Sequence, residues 1–425
     1  MEHQALLAIG IFLLTYAVII SEKIHRTVIA MVGGILMILL GVVDQQTAIQ
    51  HVDFGTIGLL VGMMIIVNIT GRTGVFKYLG IRAAKAVKGD PMRIFWALNL
   101  ITAIASAFLD NVTTVLLMVP VTFSIVRRLA LPPIPFLISL ILSSNIGGTA
   151  TMIGDPPNIM IGTAVKELTF VDFITNLAGI SLIILVVTLG VLSLIYRKYL
   201  RADEDVRQQI LELDEKAEIT DITLLKKSVV VLLLTMLGFF LHPILHIESA
   251  TIALSGATLL LLLTGERYLE EALAHVEWGT IFFFVGLFVL VSGLEVTGVI
   301  TALAKQVISW TGNNIAGASL LILWVSAIAS TFVDNIPFVA TMIPLIKEMG
   351  SLGLTNLDPL WWSLSLGACL GGNGSLIGAS ANVIVAGMAA KEGQGITFLR
   401  FFLVGFPLMV LSIAIAHLYV FLRYL

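Results

Sequence analysis

Long apolar runs with short polar punctuation make up most of this chain. They fall at roughly 4–20, 27–43, 54–70, 94–109, 112–126, 134–165 and 173–196, and after a charged stretch resume near 228–242, 250–264, 280–294, 315–333, 336–346, 360–390 and 400–422. A helix needs about 20 apolar residues, within a range of roughly 17–25, to cross a bilayer, so most runs predict single crossings. The first run, Ala5 to Ile20, lacks a basic n-region and a convincing small-residue cleavage site, and it predicts a crossing rather than a signal peptide. Runs 134–165 and 360–390 are too long and are interrupted. The first holds Asn145 to Asn158, NIGGTATMIGDPPN, and the second Gly371 to Asn382, GGNGSLIGASAN. Glycine loosens a helix and proline cannot donate into one. Backbone left unpaired in lipid costs several kcal/mol per group, so both breaks are expected to be buried in protein or to line a polar cavity. Mid-membrane breaks of this kind expose carbonyls and half-helix N-termini that hold ions and solutes.

The two halves match at an offset of 224. HVDFGTI at 51–57 meets HVEWGTI at 275–281, SAFLDN at 106–111 meets STFVDN at 330–335, Pro120 meets Pro344, and Asn158 meets Asn382. The register holds without a gap from His51 to Asn158, which indicates internal duplication. The only long polar segment, Arg197 to Lys227, reads as a cytoplasmic linker at 197–227 between a first repeat, 1–196, and a second, 228–425. Loop 71–93 carries Arg72, Lys77, Arg82, Lys85, Lys88 and Arg93, whereas its partner 295–317 carries only Lys305. Likewise Glu22, Lys23 and Arg26 follow the first crossing, while 243–250 has no Lys or Arg. Positive loops face the cytoplasm, so the repeats are expected to be inverted. Inversion requires an odd number of crossings per repeat. The arms 94–109 and 112–126 must then form a re-entrant hairpin, with Arg127 and Arg128 returning it to its own side. The expected fold class is an all-α polytopic membrane protein of two inverted repeats, each with five crossings and one hairpin, and with both termini outside.

Composition agrees. The chain has 425 residues, 58% hydrophobic and 12% charged, with a mean hydropathy of +1.02, against about 25% charged in a soluble domain. The net charge of −3 says little about partners, and with no basic tract present a nucleic-acid partner is not expected. One cysteine, Cys369, excludes an internal disulfide and a cysteine-rich metal site.

The candidate chemistry lies at the hairpin tips and the breaks. The tips are Asp110-Asn111 and Asp334-Asn335, each between two short apolar arms. Intramembrane acids mark ion or proton pathways, and Asp also caps helices well; both roles stay open here and can coexist. Asp155 belongs to one repeat only, because its counterpart is Ala379, and Pro156-Pro157 meet Ser380-Ala381. Thr113, Thr114, Asn145, Thr149, Thr151, Asn158, Asn373, Ser375, Ser380 and Asn382 add neutral oxygens and amides, and neither motif holds a Lys or Arg. Such a site suits Na⁺ or H⁺, and anions would rely on half-helix N-termini. Cys369 aligns with Asn145 and reads as a small buried residue. His51, His275 and Asn68 read as interfacial or packing groups.

IGGTATMIGDPPN, with FLDN upstream, resembles the arsenite permease and P-protein branch of the ion transporter superfamily. The resemblance runs from Ala5 to the C-terminus. It implies scaffold and transport subdomains, a homodimer, an elevator-like motion, and a substrate and ion site at Asp110, Asn111, Asn145, Thr149, Asp155, Asn158, Asp334, Asn335, Asn373 and Asn382. Dicarboxylate carriers of the superfamily place Ser-Asn-Thr at both hairpin tips, and here the tips read Asp-Asn-Val and Asp-Asn-Ile. NhaD-type sodium/proton antiporters are related.

These features predict a secondary active transporter coupled to H⁺ or Na⁺, with arsenite or antimonite efflux as the leading reading, since mostly neutral arsenite suits motifs free of fixed positive charge. The alternatives are a Na⁺-coupled anion or carboxylate carrier, a Na⁺/H⁺ antiporter and a passive channel. An enzyme is not expected: no HExxH and no nucleophile–base spacing is present. No resident cofactor or structural metal is expected beyond the coupling ion. The expected partners are a small inorganic or organic ion, the lipid bilayer of a bacterial or archaeal inner membrane, and a second copy of the chain. With no nucleotide-binding motif, any ATPase subunit would be a separate chain.

Overall fold

The structure, a computed structural model, describes residues 2–21, 23–265 and 268–425. Glu22, which entered the charge argument, lies outside them. Among the described residues every element is helical.

The first repeat runs Glu2–Ser21, Arg26–Leu39, Gln45–His51, Phe54–Arg72 and Val75–Ala86. Hairpin 1 follows, with arms Pro91–Phe108 and Asn111–Arg128, and then a first broken helix, Ile134–Gly148 and Pro156–Ala164. A helix through Phe170–Phe173, a π-turn and Gly179–Tyr196 closes the repeat. The second runs Ile222–Leu245, Ser249–Thr264, Leu269–Ala274, Trp278–Val296 and Val299–Thr311. Hairpin 2 has arms Ile315–Phe332 and Asn335–Ser351, the second broken helix is Asp358–Gly371 and Ser380–Lys391, and Phe398–Tyr424 ends the chain. The offset of 224 reproduces element boundaries: Phe54–Arg72 maps onto Trp278–Val296, and Pro91–Phe108 onto Ile315–Phe332, at both ends.

The halves exchange helices. Arg26–Leu39 packs on Trp278–Val296 of the other repeat, and Ser249–Thr264 packs on Phe54–Arg72. Glycine makes both crossings close: a Cβ on Gly62 would sit 2.6 Å from the Ala253 backbone, and one on Gly286 2.5 Å from that of Ala30. The equivalent helices Phe54–Arg72 and Trp278–Val296 run antiparallel. His51, before the first, lies 3.7 Å from Glu295 at the end of the second. Arg72, at the end of the first, pairs with Glu271 and meets His275 at 3.2 Å, before the second.

Among the described residues, eight helices are long and apolar enough to cross a membrane, and they include the first arm of each hairpin. The arms are therefore longer than the short ones expected from the apolar runs. Asp90 caps the first arm by accepting from the Arg93 amide at 2.9 Å, with Pro91 in the first turn, so the helix starts three residues before the apolar run. At about 1.5 Å per residue, an 18-residue arm reaches about 27 Å.

Two helices lie outside the apolar runs, one of them in the segment read as loop 71–93. Gln45–His51 is capped by Asp44, and Val75–Ala86 buries Phe76, Gly80, Ile81 and Ala84 while exposing Lys77 and Arg82. The charged linker is also ordered. It forms Glu204–Leu211 and a 3₁₀ turn at Glu215–Glu218, and its last residues already belong to Ile222–Leu245. It lies on Val75–Ala86: the Lys85 ammonium donates to the Leu213 carbonyl at 2.7 Å and to Glu215 at 2.6 Å, and the Thr220 amide donates to the Thr73 carbonyl at 3.1 Å. The hydrogen bond from Lys85 holds the Glu215 carboxyl below its ordinary range.

Candidate functional site

The breaks arise from small residues pressed against the hairpins. A Cβ on Gly147 would lie 2.2 Å from the Ala103 carbonyl oxygen, and one on its equivalent Gly371 2.6 Å from that of Ala327. Hydroxyls staple each break to its hairpin at equivalent positions. Ser106 donates to the Ser144 carbonyl at 2.7 Å and Ser330 to that of Ala368 at 2.6 Å. Thr151 donates to the Ala107 carbonyl and Ser375 to that of Thr331.

The unwound backbone still needs partners. Asn158 supplies them at the first break, donating to the Thr149 and Thr151 carbonyls at 3.1 and 2.9 Å. Asn382 does so at the second, donating to those of Gly372 and Ser375 at 2.8 and 2.9 Å. Thr149 donates its own hydroxyl to the Asn145 carbonyl at 2.8 Å. Thus Thr149, Asn158, Ser375 and Asn382 act here as staples and caps of the breaks.

Asn145 joins the breaks. Its amide donates to the side-chain oxygens of Asn373 at 2.9 Å and Asn382 at 3.0 Å, and its own oxygen accepts from Asn111 of hairpin 1 at 3.3 Å. Cys369 takes the equivalent place in the other repeat: its thiol lies 3.6 Å from the Asn158 oxygen, which also accepts from Ser365 at 2.6 Å. All of these side chains are buried. The buried-thiol expectation for Cys369 holds, and the thiol belongs to the polar network.

Hairpin tips and breaks converge. Asp110 caps its own helix, accepting from the Thr113 amide at 2.8 Å and from the Thr113 hydroxyl. Asp334 also caps, accepting from the Ile336 amide at 3.1 Å, and in addition accepts from Ser380 at 2.8 Å and pairs with Arg26. Asp155 is 1% exposed. It occupies an N-cap position but makes no capping bond with its side chain: the first two helical residues are prolines that carry no N–H, and the third amide, that of Asn158, donates to the Asp155 backbone carbonyl at 3.0 Å. Its carboxylate instead accepts long hydrogen bonds from Asn335 of hairpin 2, at 3.3 and 3.5 Å.

Two charged residues were missed as site residues. Arg26 had been read only as a topology marker, and Glu277 had passed as part of a repeated HVEW. Arg26 reaches Asp334 and Ser380, with its guanidinium 4.9 Å from the centre of the Phe283 ring. Glu277, equivalent to Asp53, accepts from Thr280 at 3.0 Å. Arg26, Asp110, Asn111, Asp155, Glu277 and Asn335 line a small cavity of about 20 Å³. It adjoins an open vestibule of about 490 Å³ bounded by His25, Arg26, Glu277, Asp334, Ile377 and Ser380. The expectation of a site without fixed positive charge is corrected here: the motifs carry none, but the exchanged helix Arg26–Leu39 brings one in.

Comparison with known proteins agrees with this architecture. The chain is 42% identical over 427 residues to an uncharacterized transporter of Mycobacterium tuberculosis, covering 99% of both. It is 37% identical over 502 residues to the P protein of Homo sapiens, covering 98% of this chain and 60% of that protein, in line with the P-protein part of the resemblance. The solved YdaH transporter of Alcanivorax borkumensis superposes with a TM-score of 0.61 over 98% of this chain and 97% of its own, at 13% identity, a likeness of fold. Residues 16–367 match the citrate transporter family model, and with a polytopic helical fold, two broken helices and a charged cavity between two hairpin tips, this chain belongs to the citrate transporter (CitMHS) family of membrane transporters.

Proposed function

We propose that this chain is a secondary active transporter of a carboxylate-bearing solute, coupled to H⁺ or Na⁺, with Asp155 handling the coupling ion. The observation that carries the reading is the small cavity: three carboxylates, Asp110, Asp155 and Glu277, share it with one guanidinium, and that guanidinium is already paired with Asp334. The excess of negative charge, beside a buried carboxylate whose amide contacts are long, favours a small cation. About 20 Å³ has room for one water or one ion. The adjoining vestibule has room for a small organic solute.

Arsenite efflux drew its support from a site without positive charge. Arg26 removes that support and favours an anion, and the description of the family as citrate transporters points the same way. The antiparallel course of the equivalent helices supports inverted repeats, and the docking of the linker on Val75–Ala86 supports a cytoplasmic location for both. Relatives in mycobacteria support a bacterial inner membrane.

The test is uptake into proteoliposomes of labelled citrate, succinate and arsenite, with Na⁺ and H⁺ gradients imposed separately. A carboxylate should accumulate under one gradient and exchange faster when unlabelled solute is present inside, which a channel would not do. Accumulation of arsenite alone, or no trans acceleration, would overturn the reading.

A further inference from the structure

We propose that Arg26 is the anion-binding group of the vestibule and that Asp334, at the tip of hairpin 2, is its built-in occupant, displaced when the carboxylate of the solute arrives. Three groups from three elements meet there. Arg26 opens the helix Arg26–Leu39, Asp334 stands at the hairpin tip, and Ser380 opens the half-helix after the second break. Arg26 Nη1 contacts both Asp334 and the Ser380 hydroxyl, the latter at 2.7 Å, and that hydroxyl donates onward to Asp334 at 2.8 Å. Among the described residues lining the vestibule and the small cavity, Arg26 is the only Lys or Arg. Asp334 engages it through a single nitrogen, whereas a free carboxylate can take the guanidinium fork with two parallel bonds.

The arrangement belongs to one repeat. The position equivalent to Ser380 is Pro156, and Ser249–Thr264, the counterpart of Arg26–Leu39, holds no Lys or Arg, so nothing like it can form at the tip of hairpin 1. A second tie to the same hairpin is the Tyr16 hydroxyl, which donates to the Pro337 carbonyl at 2.7 Å, and the counterpart helix of the other repeat, Ile222–Leu245, has no Tyr. Hairpin 2 is therefore latched to the first two helices by polar groups. An incoming carboxylate takes the guanidinium and the Ser380 hydroxyl, and the hairpin tip is released. Asp334 is then left with no cation in a mostly buried place, which is costly unless a positive ion joins it. Solute binding would thus create the demand for the coupling ion. This inference rests on the anionic-solute reading above.

The test places a cysteine at Val333, on the vestibule wall, in the full chain in lipid nanodiscs. Buried Cys369 is the only native thiol and sets the background. Maleimide labelling of Val333→Cys should rise several-fold with citrate. Arg26→Gln should label fast without citrate and lose citrate binding, and Arg26→Lys, which keeps the charge, should fall between. Asp334→Asn should label fast and bind citrate about tenfold more tightly in calorimetry. If neither Arg26→Gln nor Asp334→Asn raises basal labelling, there is no latch and the inference fails. If a wild-type protein that transports citrate binds it no more tightly after Asp334→Asn, the displacement alone fails. If both variants unlatch but the wild type binds neither citrate nor succinate, the anionic-solute reading falls and the displacement with it.

Discussion

At the first break the chain runs Gly154-Asp155-Pro156-Pro157-Asn158, and at the second Gly378-Ala379-Ser380-Ala381-Asn382. The flanking residues are shared, and so are their contacts: glycine against hairpin backbone, asparagine on the carbonyls of the unwound turn, hydroxyl staples at equivalent places. The three central residues differ, and two of them change what the break can do. At the first, an acid precedes two prolines that give it no amide to hold. At the second, a hydroxyl takes the place of the first proline and joins an ion pair. Duplication thus built two equal supports, and the residues between the shared glycine and asparagine diverged. The hairpins follow the same rule. Hairpin 1 closes on its own Thr113, whereas hairpin 2 closes on Arg26 from another helix.

The sharpest way to break the comparison is Asp155→Asn. It keeps the size and an amide that can still hydrogen-bond, and it should lower gradient-driven transport by about 100-fold or more, the scale expected when a proton-handling group is lost, with folding intact. Gradient-driven uptake by the purified variant measures this. Full, pH-dependent transport would move coupling to Asp110 or Asp334.

The shared supports should behave alike. Gly147→Ala and Gly371→Ala each drive a methyl into hairpin backbone, and each should destabilise by about 1–3 kcal/mol, the usual cost of overpacking. Thermal unfolding in detergent would read it. A large effect at one position and none at the other would mean the breaks are not held in the same way.

Orientation is the next contrast. Arg82 and its equivalent Gln306 are both exposed on helices that follow a crossing. Arg82→Cys should react with an impermeant maleimide only from the cytoplasmic face and Gln306→Cys only from outside. External labelling at position 82 would end the inverted reading.

The smallest effect is expected at the linker, which only one half carries. Lys85→Met should loosen the contact with Glu215 and slightly speed proteolysis of 197–220, less so at high salt. The Glu215 carboxyl is held below its ordinary value, so its contribution to docking is complete above the ordinary glutamate range and fades as the pH falls below that range. Nicking rates measured from pH 7 down to pH 3 should rise only at the acid end.

What the sequence determined by itself is the repeat and its breaks. Glycine, proline and asparagine at a fixed offset in apolar surroundings force the chain to unwind at the same two places, and the residues that staple those places are close enough along the chain to be read in order. Asp110 and Asp334 as helix caps were legible for the same reason, because a cap acts on amides two or three residues away. The tertiary structure alone decided the sign of the site. Arg26 and Glu277 stand at helix starts, where any interfacial charge might stand, and nothing near them in the chain marks them out. They enter the cavity because the halves exchange helices, so that Arg26–Leu39 lies on Trp278–Val296, more than two hundred residues away in sequence. Charge acts through space, and the distance from Arg26 to Asp334 is set by that exchange, which no local pattern records.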